Sequence, residues 1–111
     1  MSLRATVEID IFSGRPNPSG LLTVEQTDWL LEALNNLPTT DKSPFDGLGY
    51  RGLVVRLPRQ LRIGHGTITD EAFDSVFIDT NRYIEHQLAE WVTAFLEPAM
   101  AAWLMTQQEK E

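Results

Sequence analysis

The strict alternation of polar and apolar residues near the start of the chain constrains the fold most. Between Leu3 and Phe12 every second residue is apolar, which is the period of a strand with one buried face. The apolar positions are Ala5, Val7, Ile9 and Ile11, and the polar positions are Arg4, Thr6, Glu8 and Asp10. The pattern predicts a sheet with one covered face and one polar face.

A turn and a helix follow this strand. The segment Ser13–Gly20 holds two prolines and two glycines, which interrupt regular structure. Thr23 and Gln26 then have the spacing of a capping box. The apolar stripe behind them consists of Val24, Leu30, Leu31, Leu34 and Leu37. We expect a helix over residues 23–36.

The middle of the chain favours strands. Residues 38–47 are polar, with two prolines, and indicate a loop. Alternation returns over residues 50–57, and Pro58 can turn the chain into a partner strand at residues 61–63, forming a hairpin. A further short strand fits residues 75–78, although residues 70–74 could instead form one helical turn.

The last third of the chain is helical in pattern. Asp79 or Thr80 can cap a helix, and Pro98 suits the first turn of another one, which carries Met100, Trp103 and Leu104. The predicted buried face of the first of these helices consists of Tyr83, Ile84, Leu88, Trp91, Val92 and Phe95. The sequence therefore predicts one α+β domain over residues 1–111, with an antiparallel or mixed sheet of three to four strands and helices packed on one face.

Charge and composition exclude several classes of protein. Residues 1–69 contain seven acids and seven bases, whereas residues 70–111 contain nine acids and two bases. Such an acidic field disfavours nucleic acid as a partner. The chain has no cysteine and no apolar run of the roughly 20 residues that span a bilayer. With no signal-type stretch at the start, we expect a cytoplasmic protein without disulfides or a membrane partner.

The polar sheet face is the first candidate for a site. If the aliphatic positions face the helices, Glu8, Asp10, Arg56 and Arg62 emerge together on the other side. One interpretation is a set of solvated cross-strand ion pairs. The other is a recognition surface, on which arginines hold a peptide carboxylate and the acids receive basic or amide groups.

Two short stretches carry a resemblance. Residues 9–18 read IDIFSGRPNP, and residues 49–52 read GYRG. They resemble a signature of small bacterial proteins, some encoded beside ribosomally made peptide natural products, such as the crocagin-cluster peptide-binding accessory proteins. The resemblance implies a non-catalytic homodimer that engages a precursor peptide. In that family an aromatic residue often follows the second proline, whereas Ser19 follows here, which puts the transfer of binding detail in doubt.

The loop that carries the signature has two interpretations of its own. Arg15 offers five hydrogen-bond donors next to the strand end, and the flanking prolines reduce the entropy lost on binding. Alternatively, the loop only steers the chain toward the helix, with Asn17 hydrogen-bonding its own turn. The spacings of phosphate-binding glycine motifs are absent.

Enzyme chemistry has little support in the sequence. His65 and His86 lack the HExxH spacing of zinc sites, and no serine lies in a GxSxG motif. No catalytic residue, metal ligand or cofactor site is therefore assigned. An enzyme such as a lyase or hydrolase stays open, because sites assembled from distant residues leave no motif.

The most favoured function is that of a peptide-binding or scaffolding accessory protein, with Arg15, Asn17, Glu8, Asp10, Arg56 and Arg62 as contacts. The alternative is a small metal- or metabolite-binding domain. Trp91 is expected in the core. The segment Pro98–Met105 is either a dimer contact or ordinary packing over the sheet.

Overall fold

A computed structural model describes residues 3–11, 17–42 and 49–110 of the chain. The strands are β1 (Thr6–Ile9), β2 (Ser19–Leu21), β3 (Leu53–Leu57), β4 (Arg59–Gly64), β5 (Thr67–Asp70) and β6 (Ser75–Ile78). The helices are α1 (Val24–Ala33), α2 (Tyr83–Val92) and α3 (Pro98–Glu109), and single 3₁₀ turns at Thr80–Arg82 and Thr93–Phe95 flank α2.

The strands form one antiparallel sheet in the order β2-β1-β3-β4-β5-β6. The predicted α+β class is confirmed, and of the two sheet types that were left open the structure has the antiparallel one. The predicted count of three to four strands is wrong, because the described residues form six. Strands β2 and β5 were missed: β2 has only three residues, and β5 is buried at all four positions, so it has no alternation of exposed and buried residues.

The helices pack on one face of the sheet, as the alternation predicts. Val7 lies opposite Val55, and Val55 lies opposite Leu61, so one aliphatic row crosses β1, β3 and β4. This row joins a core with the buried side chains of the helices, which are Leu30, Ile84, Leu88, Val92 and Leu104. The opposite face of the same strands carries mostly polar side chains, with the apolar Val54 among them.

Helix α1 is fastened at its start. The predicted capping box is present, since Thr23 and Gln26 bond each other's backbone N–H groups at 3.0 and 2.9 Å. The buried Thr27 hydroxyl accepts a hydrogen bond from the backbone N–H of Ala5 at 3.0 Å. The helix ends at Ala33, three residues before the predicted end, and the following turn contains Asn36 at a positive φ of 61°.

Helix α2 begins beneath a buried carboxylate. Both oxygens of Asp79 accept backbone N–H groups of the first turn, from Ile84 at 2.9 Å and Glu85 at 3.0 Å. The N-cap residue of α2 is Arg82, however, and not Asp79 or Thr80 as predicted, because the 3₁₀ turn Thr80–Arg82 precedes the helix. The prediction that Tyr83 and Phe95 are buried is wrong, since they are 61% and 38% exposed. Tyr83 lies in the first turn of α2, and Phe95 lies in the 3₁₀ turn beyond it, where the helical period no longer applies.

Helix α3 begins as predicted, with Pro98 in its first turn. No helix in the described part of the chain is long and apolar enough to cross a membrane.

Candidate functional site

The polar face of the sheet gathers charged side chains from three strands. In the β1–β3 pair, Arg56 lies opposite Thr6 and Val54 lies opposite Glu8. In the β3–β4 pair, Val54 lies opposite Arg62. Glu8, Arg56 and Arg62 therefore share one face, turned away from the helices. We define the polar face as Glu8, Asp10, Asn17, Arg51, Arg56, Arg62 and Glu71.

Asp10 is the centre of this face. It follows β1, is only 6% exposed, and binds two arginines. Its Oδ1 accepts from Nη2 of Arg51 at 3.0 Å, and its Oδ2 accepts from Nη1 of Arg62. A carboxylate this buried is stable only when it is paired in this way. Asp10 and Arg62 were predicted from the alternation, whereas Arg51 was not.

Glu8 occupies the neighbouring position and has a different pair of partners. Its Oε2 accepts from Nδ2 of Asn17 at 2.8 Å, and its Oε1 accepts from Nη1 of Arg56 at 3.1 Å. The hydrogen bond from Asn17 lowers the pKa of Glu8, partial burial opposes this, and the Arg56 and Arg62 charges lower the pKa further. Glu8 is thus held ionised and ready to accept hydrogen bonds.

The loop residue Asn17 links the signature segment to this face. Besides its bond to Glu8, its Oδ1 accepts from the backbone N–H of Ile11 at 3.2 Å. The side chain of Asn17 therefore has a structural role beside any role in binding. Arg15 lies outside the described residues, as does the rest of the predicted loop contact at positions 13–16.

The face extends toward β5 through residues that the sequence did not single out. Glu71, in the turn after β5, lies 3.5 Å from Nε of Arg62 and accepts from Gln60 at 3.0 Å. Only the folded turn brings Glu71 to this face, so no local sequence signal marked it.

Two polar atoms beside Asp10 lack partners among the described residues. Nε of Arg51 and Oγ1 of Thr69 are buried there without a hydrogen-bond partner, and Thr69 lies directly opposite Arg62 in the β4–β5 pair. Unpaired buried polar atoms are rare and costly. The polar face therefore retains an unused donor and an unused hydroxyl.

The edge of the sheet nearest to Glu8 is open among the described residues. Hydrogen bonds join Ile9 to Pro18 and Leu22 to Ala5, so by the alternation of an antiparallel ladder Ser19 and Leu21 direct their backbone groups away from β1. The other edge differs, because residues 38–40 run beside β6 and bond to it. Strand β2 is thus the edge on which a further strand can pair.

A second polar cluster lies under the helices, and the sequence did not reveal it. Glu85 is fully buried, and its oxygens accept from the Tyr50 hydroxyl at 2.6 Å, the Arg82 guanidinium at 2.7 Å and the His65 backbone N–H at 2.9 Å. Gln108 in turn donates to the Tyr50 hydroxyl at 3.1 Å. This cluster joins both C-terminal helices to the sheet.

The ionisation of this cluster follows from its partners. Burial raises the pKa of Glu85, but the hydrogen bonds from Arg82 and Tyr50 outweigh it and the net direction is downward. Burial, followed by the charge of Glu85, raises the pKa of Tyr50. The hydrogen bond to Glu85 likewise raises the pKa of Arg82. Glu85 and Arg82 are therefore a charged pair beside a neutral phenol.

The histidines do not assemble a metal centre. Nε2 of His65 lies 2.9 Å from the carbonyl oxygen of Tyr50, whereas His86 lies on α2. Within residues 3–11, 17–42 and 49–110, no group of three or more histidine, aspartate or glutamate side chains is placed to hold a metal ion.

Comparison with known proteins gives no match. No family model, no curated protein and no solved structure is significantly similar to this chain. The functional conclusion therefore depends on the geometry described above.

Proposed function

We propose that this chain is a non-catalytic peptide-binding or scaffolding accessory protein that uses the polar face and the open edge at β2. The observation that carries the proposal is the position of three arginines beside Asp10 and Glu8, next to a strand whose outer backbone groups have no partner among the described residues. The resemblance noted in the sequence adds a context for the proposal, the biosynthesis of a ribosomally made peptide natural product.

Arginines that are already paired can still bind a guest. The Arg56 side chain is 46% exposed and pairs with Glu8, and exposed ion pairs are worth only about 0.2–1 kcal/mol each. The Arg51 side chain is 36% exposed, although its partner Asp10 is buried. Each guanidinium has five donors, so a guest carboxylate or carbonyl binds the remaining N–H groups without displacing Glu8 or Asp10. Nε of Arg51 is buried without a partner among the described residues, so a guest reaches this donor only if the Arg51 side chain moves.

The β2 edge supplies the second half of the recognition. A short extended peptide can pair with Ser19 and Leu21 through its backbone. Leu21 is 54% exposed and Leu3 is 48% exposed, and they offer apolar contact near the same edge. Backbone pairing then provides affinity, while the charges of the polar face select the side chains of the peptide.

The state of the carboxylates favours binding over catalysis. A general acid at neutral pH needs a raised pKa, whereas the pKa of Glu8 is lowered and Asp10 is held between two guanidinium groups. These groups act as acceptors that orient a guest.

The proposal predicts that a precursor peptide is encoded near this protein's gene, and fluorescence anisotropy with a labelled copy of that peptide tests it. We expect Arg56→Gln and Arg62→Gln each to raise the Kd roughly tenfold, because each removes charged hydrogen bonds to the guest. Arg15→Ala measures how much the loop contributes to the affinity for the peptide. Arg59→Gln is the matched control, because Arg59 lies on the helix side of the sheet and pairs with Asp70.

Equal affinities of wild type, Arg56→Gln and Arg62→Gln would refute the assignment of the polar face. A loss as large in Arg59→Gln would refute it too, since the effect would then reflect stability or net charge. Thermal melting of each variant identifies any loss of fold.

The homodimer implied by the resemblance is part of the proposal. On α3, Trp103 packs edge-on against Tyr50 with ring centroids 5.9 Å apart, which supports ordinary packing for that residue. Ala102, in the same segment, is exposed and is the proposed contact for a second copy. Light scattering of wild type and Ala102→Glu tests this part, with a shift from dimer to monomer expected in the variant.

A further inference from the structure

A cleft between α2 and α3 has features that the polar face does not explain. It has a volume of about 380 Å³ and is lined by Tyr83, His86, Glu90, Met105, Gln108 and Glu109, with Gln87 at its rim. It lies on the helix side of the molecule, separate from the polar face.

The amide of Gln108 has a fixed orientation in the wall of this cleft. The Tyr50 hydroxyl donates its only proton to Glu85, so it must accept from Nε2 of Gln108, at 3.1 Å. Nε2 also lies 3.4 Å from the carbonyl oxygen of Leu104. The other amide atom, Oε1, is therefore an acceptor. A flipped amide would place this oxygen against two other acceptors, the Leu104 carbonyl oxygen and the Tyr50 oxygen, whose proton is already donated to Glu85.

This acceptor has no donor in the described part of the protein. Gln108 is only 7% exposed, and its Oε1 is buried without a partner there. Nε2 of His86, another lining residue, is buried without a partner in the same ranges. Unpaired groups of this kind are expensive unless a bound molecule satisfies them.

The charges around the cleft select the sign of that molecule. Glu90 and Glu109 line the cleft and are exposed, while Arg82, whose side chain is 14% exposed, is already paired with Glu85. The half of the chain that forms the cleft carries nine acids and two bases. An anion is repelled here, whereas a cation that only donates hydrogen bonds matches the acceptors.

We infer that the cleft between α2 and α3 binds an organic cation through a primary ammonium or guanidinium group. The cation donates to Oε1 of Gln108 and is balanced by Glu90 and Glu109. The exposed ring of Tyr83 and the thioether of Met105 contact its carbon chain. Oε1 of Gln108 is buried, so binding requires side chains that line the cleft to shift.

The test is a titration of ¹⁵N-labelled protein by NMR, with butylguanidine as the guanidinium probe and butylamine as the ammonium probe. At millimolar concentrations we expect shifts of the Gln108 side-chain amide and of α2 and α3 backbone signals. Butanol and butyrate are the neutral and anionic controls. The probe that binds more tightly identifies the cationic group.

The variants separate charge from hydrogen bonding. We expect Glu90→Gln and Glu109→Gln each to weaken binding by about two- to fivefold, and Gln108→Leu to abolish the site-specific shifts. Glu32→Gln, an exposed acid on α1, is the matched control and should bind as wild type does. Because Gln108→Leu also removes the bond to Tyr50, its melting temperature is measured, and the two glutamate variants keep the inference testable if it fails to fold.

Three results would overturn the inference. They are the absence of shifts at Gln108 with both cations, equal shifts with butanol, and equal weakening by Glu32→Gln. Equal shifts with butanol would mean that the cleft is only an apolar crevice. Equal weakening by Glu32→Gln would mean that binding depends only on the net charge of the protein. None of these results bears on the Arg56 experiment, so the two sites stand or fall separately.

Discussion

Glu85 is the residue whose environment most depends on the whole fold. It is fully buried and receives hydrogen bonds from Tyr50, Arg82 and the His65 backbone. Arg82 has a positive φ of 55°, and so does its neighbour Asn81 at 57°. Such backbone costs about 1–3 kcal/mol at each residue, and the bidentate contact of Arg82 with Glu85 helps to offset it.

Glu85→Gln is predicted to destabilise the protein strongly. The change leaves the Arg82 guanidinium, only 14% exposed, without its counter-charge, and breaking a buried pair typically costs about 3–5 kcal/mol. Urea denaturation measures the effect. Glu90→Gln, on the exposed side of the same helix, is the control and should change the free energy of unfolding by less than about 0.5 kcal/mol. Equal stability of the two variants would contradict this account of the cluster.

Gly52 is a second residue whose substitution is expected to destabilise the fold, because there is no room for an added Cβ atom. Its φ is +105°, and an added Cβ would lie 2.5 Å from the carbonyl oxygen of Ile63, on the neighbouring strand β4. Gly52→Ala is therefore predicted to cost at least about 2 kcal/mol, through both backbone strain and the clash. Gly66→Ala is the control, because its φ is +88° but a Cβ added there would meet no atom within 4 Å, so only strain remains. Thermal melting should rank Gly52→Ala clearly below Gly66→Ala.

At the scale of elements, α1 is attached to the sheet by one buried hydroxyl. Thr27 accepts from the Ala5 backbone at 3.0 Å and donates to the Thr23 carbonyl at 2.8 Å. This bond connects the first turn of the helix to the chain just before β1.

Thr27→Val is predicted to destabilise the protein by about 1–3 kcal/mol, because the same shape is kept while the Ala5 N–H is left buried and unpaired. Thr106→Val is the control, since that exposed hydroxyl bonds only to its own helix. Urea denaturation of both variants provides the comparison. A cost for Thr27→Val no greater than that for Thr106→Val would mean that water replaces the hydroxyl.

The elements that could be predicted from the sequence are those with a complete local signal. The capping box of Thr23, the alternation in β1 and the start of α3 at Pro98 each depend on a few consecutive residues, so the sequence alone predicts them. Strand β2 was hidden because its three residues follow a segment of prolines and glycines. Asn36 at positive φ ended α1 early, and neither helix propensity nor the apolar stripe reports that.

The candidate site divides in the same way. Alternation placed Glu8, Arg56 and Arg62 on one face because strand parity is a local property. Arg51 and Glu71 come from segments outside the strands, and only the closed fold brings them to this face. The Glu85 cluster was missed because two partners of Glu85 are distant in sequence. His65 is 20 residues away and Tyr50 is 35 residues away.

At the scale of the whole molecule, acid stability follows from the ionised carboxylates. The pKa of Glu8 and that of Glu85 are lowered from 4.5, so their contribution is present above that pH and is lost as the pH falls through their folded values. Burial raises the pKa of Asp79 from 3.8, so Asp79 acts in the opposite sense and contributes stability that is lost as the pH rises through its folded value.

We therefore predict that Glu8 and Glu85 make the free energy of unfolding fall as the pH drops below 4.5, while Asp79 opposes this change. Glu8→Gln should reduce this slope, since it removes one of the two. Glu32→Gln, an exposed acid on α1, should leave the slope as in wild type. Urea denaturation over a pH series measures all three, and an unchanged slope in Glu8→Gln would contradict the assignment of Glu8.

The division of the molecule into two faces is its most consequential feature. One face of the sheet is covered by helices that bury the aliphatic row, and the other presents arginines and acids beside an open edge. Peptide binding by the second face requires that a guest approach there and nowhere else on the sheet.

The most direct test is an NMR map of the backbone and arginine Nε signals while the precursor peptide is added. We predict shifts concentrated in β1 and β2 and at Nε of Arg51, with new protection of the Ser19 and Leu21 amides from hydrogen exchange. Shifts confined to α2 and α3, or no change in β1 and β2 at saturation, would contradict the account.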